Sequence, residues 1–123
     1  MAGGGTGQFA AVPLNLIKKT GKAVYLTSGT WSQKAAKEAS KYGTIQEIKL
    51  DDISLSSSTE LDIEGDASYF FYCANETVHG VELQFIPKTN GIPIVVDMSS
   101  NILTRNIDIT KVILNFLFIS RVF

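Results

Sequence analysis

Residues 92–101 read IPIVVDMSSN, an apolar run that ends in the carboxylate of Asp97 and continues into small polar residues. A short apolar run of this kind is typical of a strand buried inside a parallel sheet. Ligands of such sheets bind beyond the carboxyl ends of the strands, which is where the pattern places Asp97. Aspartate also commonly caps a turn at such a position, so the stretch alone leaves both interpretations of Asp97 open.

The composition is that of a single globular domain. The chain has 123 residues, of which 45% are hydrophobic, enough to form a core and too many for a disordered segment. Its 11 basic and 12 acidic side chains give a net charge of −1, and without a basic cluster we expect no nucleic-acid partner. No apolar stretch is long enough to span a bilayer, and the glycine-rich start lacks a secretory signal, so we expect no membrane partner.

Strand patterns alternate with a helix pattern and with polar segments. Four segments are apolar, aromatic or alternating, as strands are: residues 23–27, 45–50, 68–73 and 92–97. Residues 31–42 have the spacing of an amphipathic helix, which Gly43 ends. Residues 51–66 and 74–81 are polar and are predicted to be loops. The alternation predicts an α/β fold with a mostly parallel sheet and flanking helices.

The glycine-rich segment 3–8, GGGTGQ, runs into an apolar segment at 9–17 that is predicted to be helical. Free backbone N–H groups and the helix dipole at such a start favour a bound phosphate. The segment has no Gly-Lys-Ser/Thr and no preceding strand, so it is neither a P-loop nor a dinucleotide fingerprint. An anion cradle and an exposed terminus both remain open, and Pro13 is expected to kink or shorten the helix.

Four candidate site residues share one kind of position. Thr6, Trp31, Thr77 and Asp97 each follow a predicted strand or begin a predicted helix. In a parallel sheet these positions lie at one edge, so their side chains are expected to converge on one ligand site.

The single histidine and the single cysteine are expected to be structural. His79 and Cys73 have no companions at metal-ligand spacing, so we expect no metal site. Nothing in the spacing requires a triad of Ser99, His79 and Asp97. Cys73 lies in an aromatic strand pattern, where it is expected to be a small buried residue. It cannot form an internal disulfide, which fits a reducing, cytoplasmic compartment.

Four blocks of the sequence resemble one enzyme family and occur in that family's order. They are residues 3–16 (GGGTGQFAAVPLNL), 31–39 (WSQKAAKEA), 72–82 (YCANETVHGVE) and 96–101 (VDMSSN). They resemble the phosphoserine aminotransferase family from residue 3 to about residue 111, with a divergent middle at 51–64. The resemblance implies the large domain of a fold-type-I transferase that uses pyridoxal 5′-phosphate. Such enzymes transfer an amino group from glutamate to 3-phosphohydroxypyruvate, giving phosphoserine and 2-oxoglutarate in serine biosynthesis, and act as homodimers.

The resemblance also implies a role for each of five cofactor-binding residues. Gly5 and Thr6 would hold the cofactor phosphate at the helix start. Trp31 would stack on the pyridine ring, and Thr77 would hydrogen-bond near the phenolic oxygen of that ring. Asp97 would pair with the ring nitrogen and keep it protonated, which makes the ring a better electron sink. These roles favour the ligand interpretation of Asp97 over the capping one.

The end of the sequence departs from the family. The family has a segment before the glycine block, and after residue 111 it continues to an Ala-Gln-Lys-Asn block whose lysine forms the Schiff base. Here residues 112–123 read VILNFLFISRVF, and without a gap Arg121 falls at the position of that lysine. A guanidinium cannot replace the lysine because it stays protonated.

Two interpretations of the whole chain follow. The first is an incomplete aminotransferase with a partial large domain at 1–111 and no catalytic residue. On this interpretation the divergent apolar tail at 112–123 is expected to derive from translated intron or a similar gene-model error. On that interpretation the chain alone is inactive. The alternative is a non-catalytic α/β binding or dimerisation module.

Overall fold

The described part of the chain consists of two helices, seven strands and three short 3₁₀ turns. A computed structural model describes residues 4–52, 56, 59–61, 63, 65–106, 108–111 and 114–116. The helices are α1 (Gly4–Leu16) and α2 (Thr30–Ala39). The strands are β1 (Lys22–Thr27), β2 (Thr44–Lys49), β3 (Phe70–Cys73), β4 (Asn75–Glu76), β5 (Val81–Glu82), β6 (Ile94–Asp97) and β7 (Leu114–Phe116). The 3₁₀ turns are Ile17–Lys19, Leu50–Asp52 and Ile109–Lys111.

Five strands form one sheet in the order β2-β1-β3-β6-β7, and all neighbouring strands are parallel. The central strand β3 is buried at every position, which explains why its sequence is continuously apolar and does not alternate. Parallel neighbours need a crossover connection, and α2 supplies it between β1 and β2. The predicted α/β fold with a mostly parallel sheet and flanking helices is confirmed.

The sheet separates two apolar clusters. On one face, α1 and α2 pack against each other and against side chains such as Tyr25 and Phe71. The rings of Tyr25 and Phe71 stack with centroids 4.7 Å apart. The next residues along the same strands, Leu26 and Tyr72, belong to the cluster on the opposite face. This alternation fixes the register of the central strands, since a shift by one residue would exchange the two faces.

Helix α1 begins earlier than its apolar segment suggests. It starts at Gly4 and continues to Leu16, so Pro13 neither ends nor shortens it. Gly4 has φ 56°, a left-handed conformation that favours glycine. Phe9 and Val12 are buried in the helix-side core, which excludes the exposed-terminus interpretation for the described part of this segment.

The prediction of a loop at residues 74–81 is wrong in part, because this segment contains an antiparallel ribbon. Strands β4 and β5 pair Asn75 with Glu82 and Glu76 with Val81. The polar composition of the segment concealed the ribbon, whose buried member is a glutamate. The predicted helix at 31–42 begins one residue earlier, at Thr30, and ends at Ala39. The proposed tail at 112–123 lies outside the described residues except for β7.

Candidate functional site

A cavity of about 500 Å³ lies where the carboxyl ends of the strands meet the starts of both helices. Its size is typical of a small-molecule site. It brings together all five residues that the sequence predicted for the site, namely Gly5, Thr6, Trp31, Thr77 and Asp97. It is also lined by Gly4, Phe9, Asn75, Ser99 and Ser100, none of which the sequence predicted for the cofactor site. All five lie in the four sequence blocks quoted above, and that location was the available signal.

The start of α1 forms one wall of the cavity. Gly4, Gly5 and Thr6 line it, and the first turn carries no acidic side chain. Nothing lies within 4 Å of the position that a Cβ atom on Gly5 would occupy, so there is open space beside the backbone there. Free N–H groups and the helix dipole make such a start suitable for an anion.

Asp97 is the last residue of β6, and it also lines the cavity. Its Oδ1 accepts hydrogen bonds from the backbone N of Ser99 at 3.0 Å and from Ser99 Oγ at 2.6 Å. Its Oδ2 lies 3.8 Å from Cys73 Sγ, which is the donor. Asp97 therefore caps the turn, as one interpretation predicted, and it also lines the cavity. Its role toward a ligand stays a prediction.

Cys73 is 2% exposed, as expected for a small buried residue. Burial raises the pKa of its thiol well above the ordinary value, and the charge of Asp97 raises that pKa further. The thiol therefore stays protonated at neutral pH and can donate to the carboxylate beside it.

Trp31 lies in the first turn of α2 and lines the cavity from that side. Its indole Nε1 donates to Thr77 Oγ1 at 3.1 Å. Lys34 Nζ lies 4.8 Å from the centroid of the indole ring, within the range of a cation–π contact. Trp31 is 38% exposed, so a flat ligand in the cavity has access to the ring.

The remaining chemical candidates have other partners. His79 Nε2 lies 2.9 Å from Thr30 Oγ1, while Ser99 bonds to Asp97 without a histidine between them. No group of three or more His, Cys, Asp or Glu side chains suited to a metal occurs among the described residues. Neither described helix is long and apolar enough to cross a membrane.

A larger groove of about 750 Å³ lies on the other side of the sheet. Its wall is built from Tyr72, Val96 and other members of the second apolar cluster. It contains none of the five predicted site residues. The smaller cavity is the candidate functional site, because an aromatic ring, a hydroxyl, a carboxylate and a helix start converge there.

Comparison with known proteins defines the class of this chain. The aminotransferase class-V family model matches residues 2–121, and the chain belongs to that family. Within it, the chain is 52% identical over 117 residues to phosphoserine aminotransferase from Drosophila melanogaster, covering 90% of this chain and 32% of the relative. It is 46% identical over 115 residues to phosphoserine aminotransferase from Pasteurella multocida, with the same coverage. The chain thus spans about a third of the length of the curated relatives it matches.

Solved structures give the same result. Phosphoserine aminotransferase from Bacillus circulans subsp. alkalophilus matches with a TM-score of 0.79 at 32% identity, over 89% of this chain and 32% of that chain. The PLP-bound phosphoserine aminotransferase from Trichomonas vaginalis matches with a TM-score of 0.72 at 36% identity, over 91% and 33%. The family resemblance stated from the four sequence blocks is confirmed.

Proposed function

We propose that this chain forms the cofactor-binding part of a phosphoserine aminotransferase and that its cavity holds pyridoxal 5′-phosphate. The observation that carries the proposal is the convergence of Gly5, Thr6, Trp31, Thr77 and Asp97 on one cavity at the carboxyl edge of the sheet. The similarity to phosphoserine aminotransferases, one of them PLP-bound, supports it. For the whole protein we propose transfer of an amino group between glutamate and 3-phosphohydroxypyruvate, in a cytoplasmic homodimer.

The groups that line the cavity match the chemistry of this cofactor. A helix start without acidic side chains suits the phosphate. An indole ring suits the flat pyridine, and the Thr77 hydroxyl suits the phenolic oxygen. A carboxylate suits a protonated ring nitrogen. The phosphate, the ring, the phenolic oxygen and the ring nitrogen of the cofactor therefore each have a partner of complementary chemistry.

When bound, pyridoxal phosphate supplies an electron-accepting ring that stabilises negative charge on the substrate carbon. Asp97 would hold the proton on the ring nitrogen, which its negative charge favours. Ser99 fixes the orientation of that carboxylate through two hydrogen bonds to Oδ1. Thr77 and Trp31, joined by their own hydrogen bond, would keep the ring in its plane.

We further propose that residues 1–111 bind the cofactor without a covalent bond. Arg121 falls at the family's lysine position, and its guanidinium stays protonated and cannot form the Schiff base. The polypeptide of these 123 residues is therefore expected to bind the cofactor but to form no phosphoserine from glutamate.

The experiment is a titration of the purified chain with pyridoxal 5′-phosphate. Quenching of the fluorescence of its single tryptophan measures the binding. We expect saturable binding that Asp97→Asn weakens about tenfold, since a charged hydrogen bond contributes roughly 1.5–3 kcal/mol. Asparagine keeps an oxygen for Ser99, so this variant removes the charge and preserves the turn. Asp66→Asn is the matched control, because Asp66 is exposed and pairs with Lys22 away from the cavity. Equal affinity of the two variants would contradict the proposal, as would unsaturable binding by the unmodified chain.

A further inference from the structure

Glu76 is a fully buried carboxylate that the proposed function does not use. It lies in β4 and is 0% exposed. It is the only acidic side chain that is buried among the described residues, and none of the ion pairs described includes it. A buried carboxylate is costly unless its oxygens are satisfied by hydrogen bonds, so the partners of Glu76 indicate its purpose.

Both oxygens of Glu76 bind the first turn of α2. Oε1 accepts from the backbone N of Ser32 at 2.8 Å, and Oε2 accepts from the backbone N of Trp31 at 3.0 Å. These are the N–H groups that an N-cap side chain normally satisfies. The N-cap residue here is Gly29, which has no side chain, so Glu76 provides the acceptors from the neighbouring ribbon. The helix dipole adds to the attraction.

The same ribbon also holds the Trp31 side chain. Thr77, the residue after Glu76, accepts the indole N–H of Trp31. The backbone and the ring of Trp31 are therefore bound by two successive residues of one short segment. His79, in the turn of the same ribbon, contacts Thr30.

The space at Gly29 shows how closely the ribbon approaches α2. A Cβ atom there would lie 2.9 Å from Glu76 Cδ and Oε2 and 2.8 Å from His79 Cδ2. Gly29 has φ 172°, an extended conformation that any residue adopts. A side chain at position 29 would therefore force the Glu76 carboxylate and the His79 ring to move.

We infer that Glu76 is a positioning residue, which fixes the backbone at Trp31 so that the indole is held ready against the cofactor ring. The inference rests on the proposed function for the identity of the ring that Trp31 meets. The positioning itself is a property of the chain without ligand. Glu76 does not line the cavity and acts through Trp31.

The test compares Glu76→Gln with Glu82→Gln. Glutamine at position 76 keeps one acceptor but turns an amide donor toward one of the two backbone N–H groups, so one hydrogen bond is lost. Glu82 lies on the partner strand of the same ribbon and bonds to Asn101 and Arg105. It therefore provides the same chemical change without contact to α2.

Two readouts follow Trp31, which is the only tryptophan of the chain. Without ligand, we expect Glu76→Gln to shift the emission to longer wavelength and to increase quenching by acrylamide, and Glu82→Gln to leave both unchanged. With pyridoxal 5′-phosphate, we expect the Kd of Glu76→Gln to rise about tenfold and that of Glu82→Gln to change less than about twofold. A simple helix cap would alter thermal stability and neither of these readouts.

Each result has a defined meaning. Emission, quenching and Kd that are the same in both variants would overturn the inference. If the unmodified chain binds no cofactor, the proposed function fails, and the ligand-free emission and quenching alone decide the positioning role. Circular dichroism monitors folding. If Glu76→Gln does not fold, Glu76→Asp takes its place, and failure of both to fold would overturn the inference by making Glu76 a requirement of the whole fold.

Discussion

At the scale of single residues, the neighbours of Asp97 leave one of its two carboxylate oxygens available to a ligand. Ser99 occupies Oδ1 with two hydrogen bonds, and the protonated thiol of Cys73 lies beside Oδ2. Thiols are weak donors, so Oδ2 keeps the capacity to accept a stronger bond. A cationic donor inside the cavity is the partner that this arrangement lacks among the described residues.

Thr77 provides the prediction at this scale. Thr77→Val preserves the shape of the side chain but removes the acceptor of the Trp31 indole. We expect a weaker affinity for pyridoxal 5′-phosphate by about fivefold, since a neutral hydrogen bond contributes roughly 1 kcal/mol. Titration of the Trp31 fluorescence measures the change. Thr77→Ser keeps the hydroxyl and is the control, and an affinity of Thr77→Val as high as that of Thr77→Ser would show that the hydroxyl has no role.

At the scale of elements, the fold was predictable wherever local sequence determines structure. The apolar runs of β1, β3 and β6 and the amphipathic spacing of α2 indicated these elements correctly. The β4–β5 ribbon was missed because Glu76 is polar in sequence and buried in structure. Its burial depends on two N–H groups of α2, a distant contact that no local pattern contains.

The site residues divide in the same way, into those that the sequence predicts and those that depend on contacts between distant side chains. Trp31, Thr77 and Asp97 were predictable because the ends of parallel strands share one edge of the sheet. The assignment of Gly5 to a phosphate cradle came from the family resemblance. Ser99 was not identified as a partner of Asp97 because the side-chain geometry of a turn cannot be read from composition.

The buried tyrosines Tyr69 and Tyr72, in and next to β3, are expected to make the stability of the fold decrease at alkaline pH. Burial raises the pKa of Tyr72 from 10.0 to about 12. Burial also raises the pKa of Tyr69 to about 12, partly offset by the hydrogen bond between the Tyr69 and Tyr25 hydroxyls. A raised pKa in the folded state gives a stabilising contribution that is complete below the unfolded value near 10 and is lost as the pH rises through about 12. We therefore expect the chain to lose stability steeply between about pH 10 and pH 12.

Tyr72→Phe tests this expectation, because Tyr72 is 3% exposed and its hydroxyl has no hydrogen-bond partner given among the described residues. Removing its hydroxyl removes one titrating group, so the loss of stability should be less steep over the same pH range, while Tyr69 still titrates there. Urea unfolding followed by circular dichroism from about pH 8 to about pH 12 measures the effect. Tyr42→Phe, at an exposed position, is the matched control. Identical pH profiles for the two variants would show that burial of Tyr72 does not control alkaline stability.

At the scale of the whole molecule, one cavity depends on segments from most of the described chain. The start of α1, the start of α2, the β4–β5 ribbon and the end of β6 each provide part of its wall. The sheet supports these segments, together with the packing of α1 on α2 and the hydrogen bonds that Glu76 accepts from α2. Its central strands are almost entirely buried. The sheet therefore sets the distances between groups that lie far apart in sequence.

The position of the lysines relative to this cavity gives the last prediction. None of the described lysines lines it, and Lys34 is held 4.8 Å from the Trp31 ring centroid. A lysine can capture the aldehyde of pyridoxal 5′-phosphate only if its amine reaches the bound cofactor. Borohydride reduction of the chain with this cofactor should therefore label several exposed lysines weakly and no single lysine stoichiometrically, as peptide mass spectrometry would show. Lys34→Met is the critical variant, because Lys34 is adjacent to the stacking ring. Stoichiometric labelling of one lysine that is lost in Lys34→Met or in Asp97→Asn would contradict non-covalent binding and would place a reactive amine inside the site.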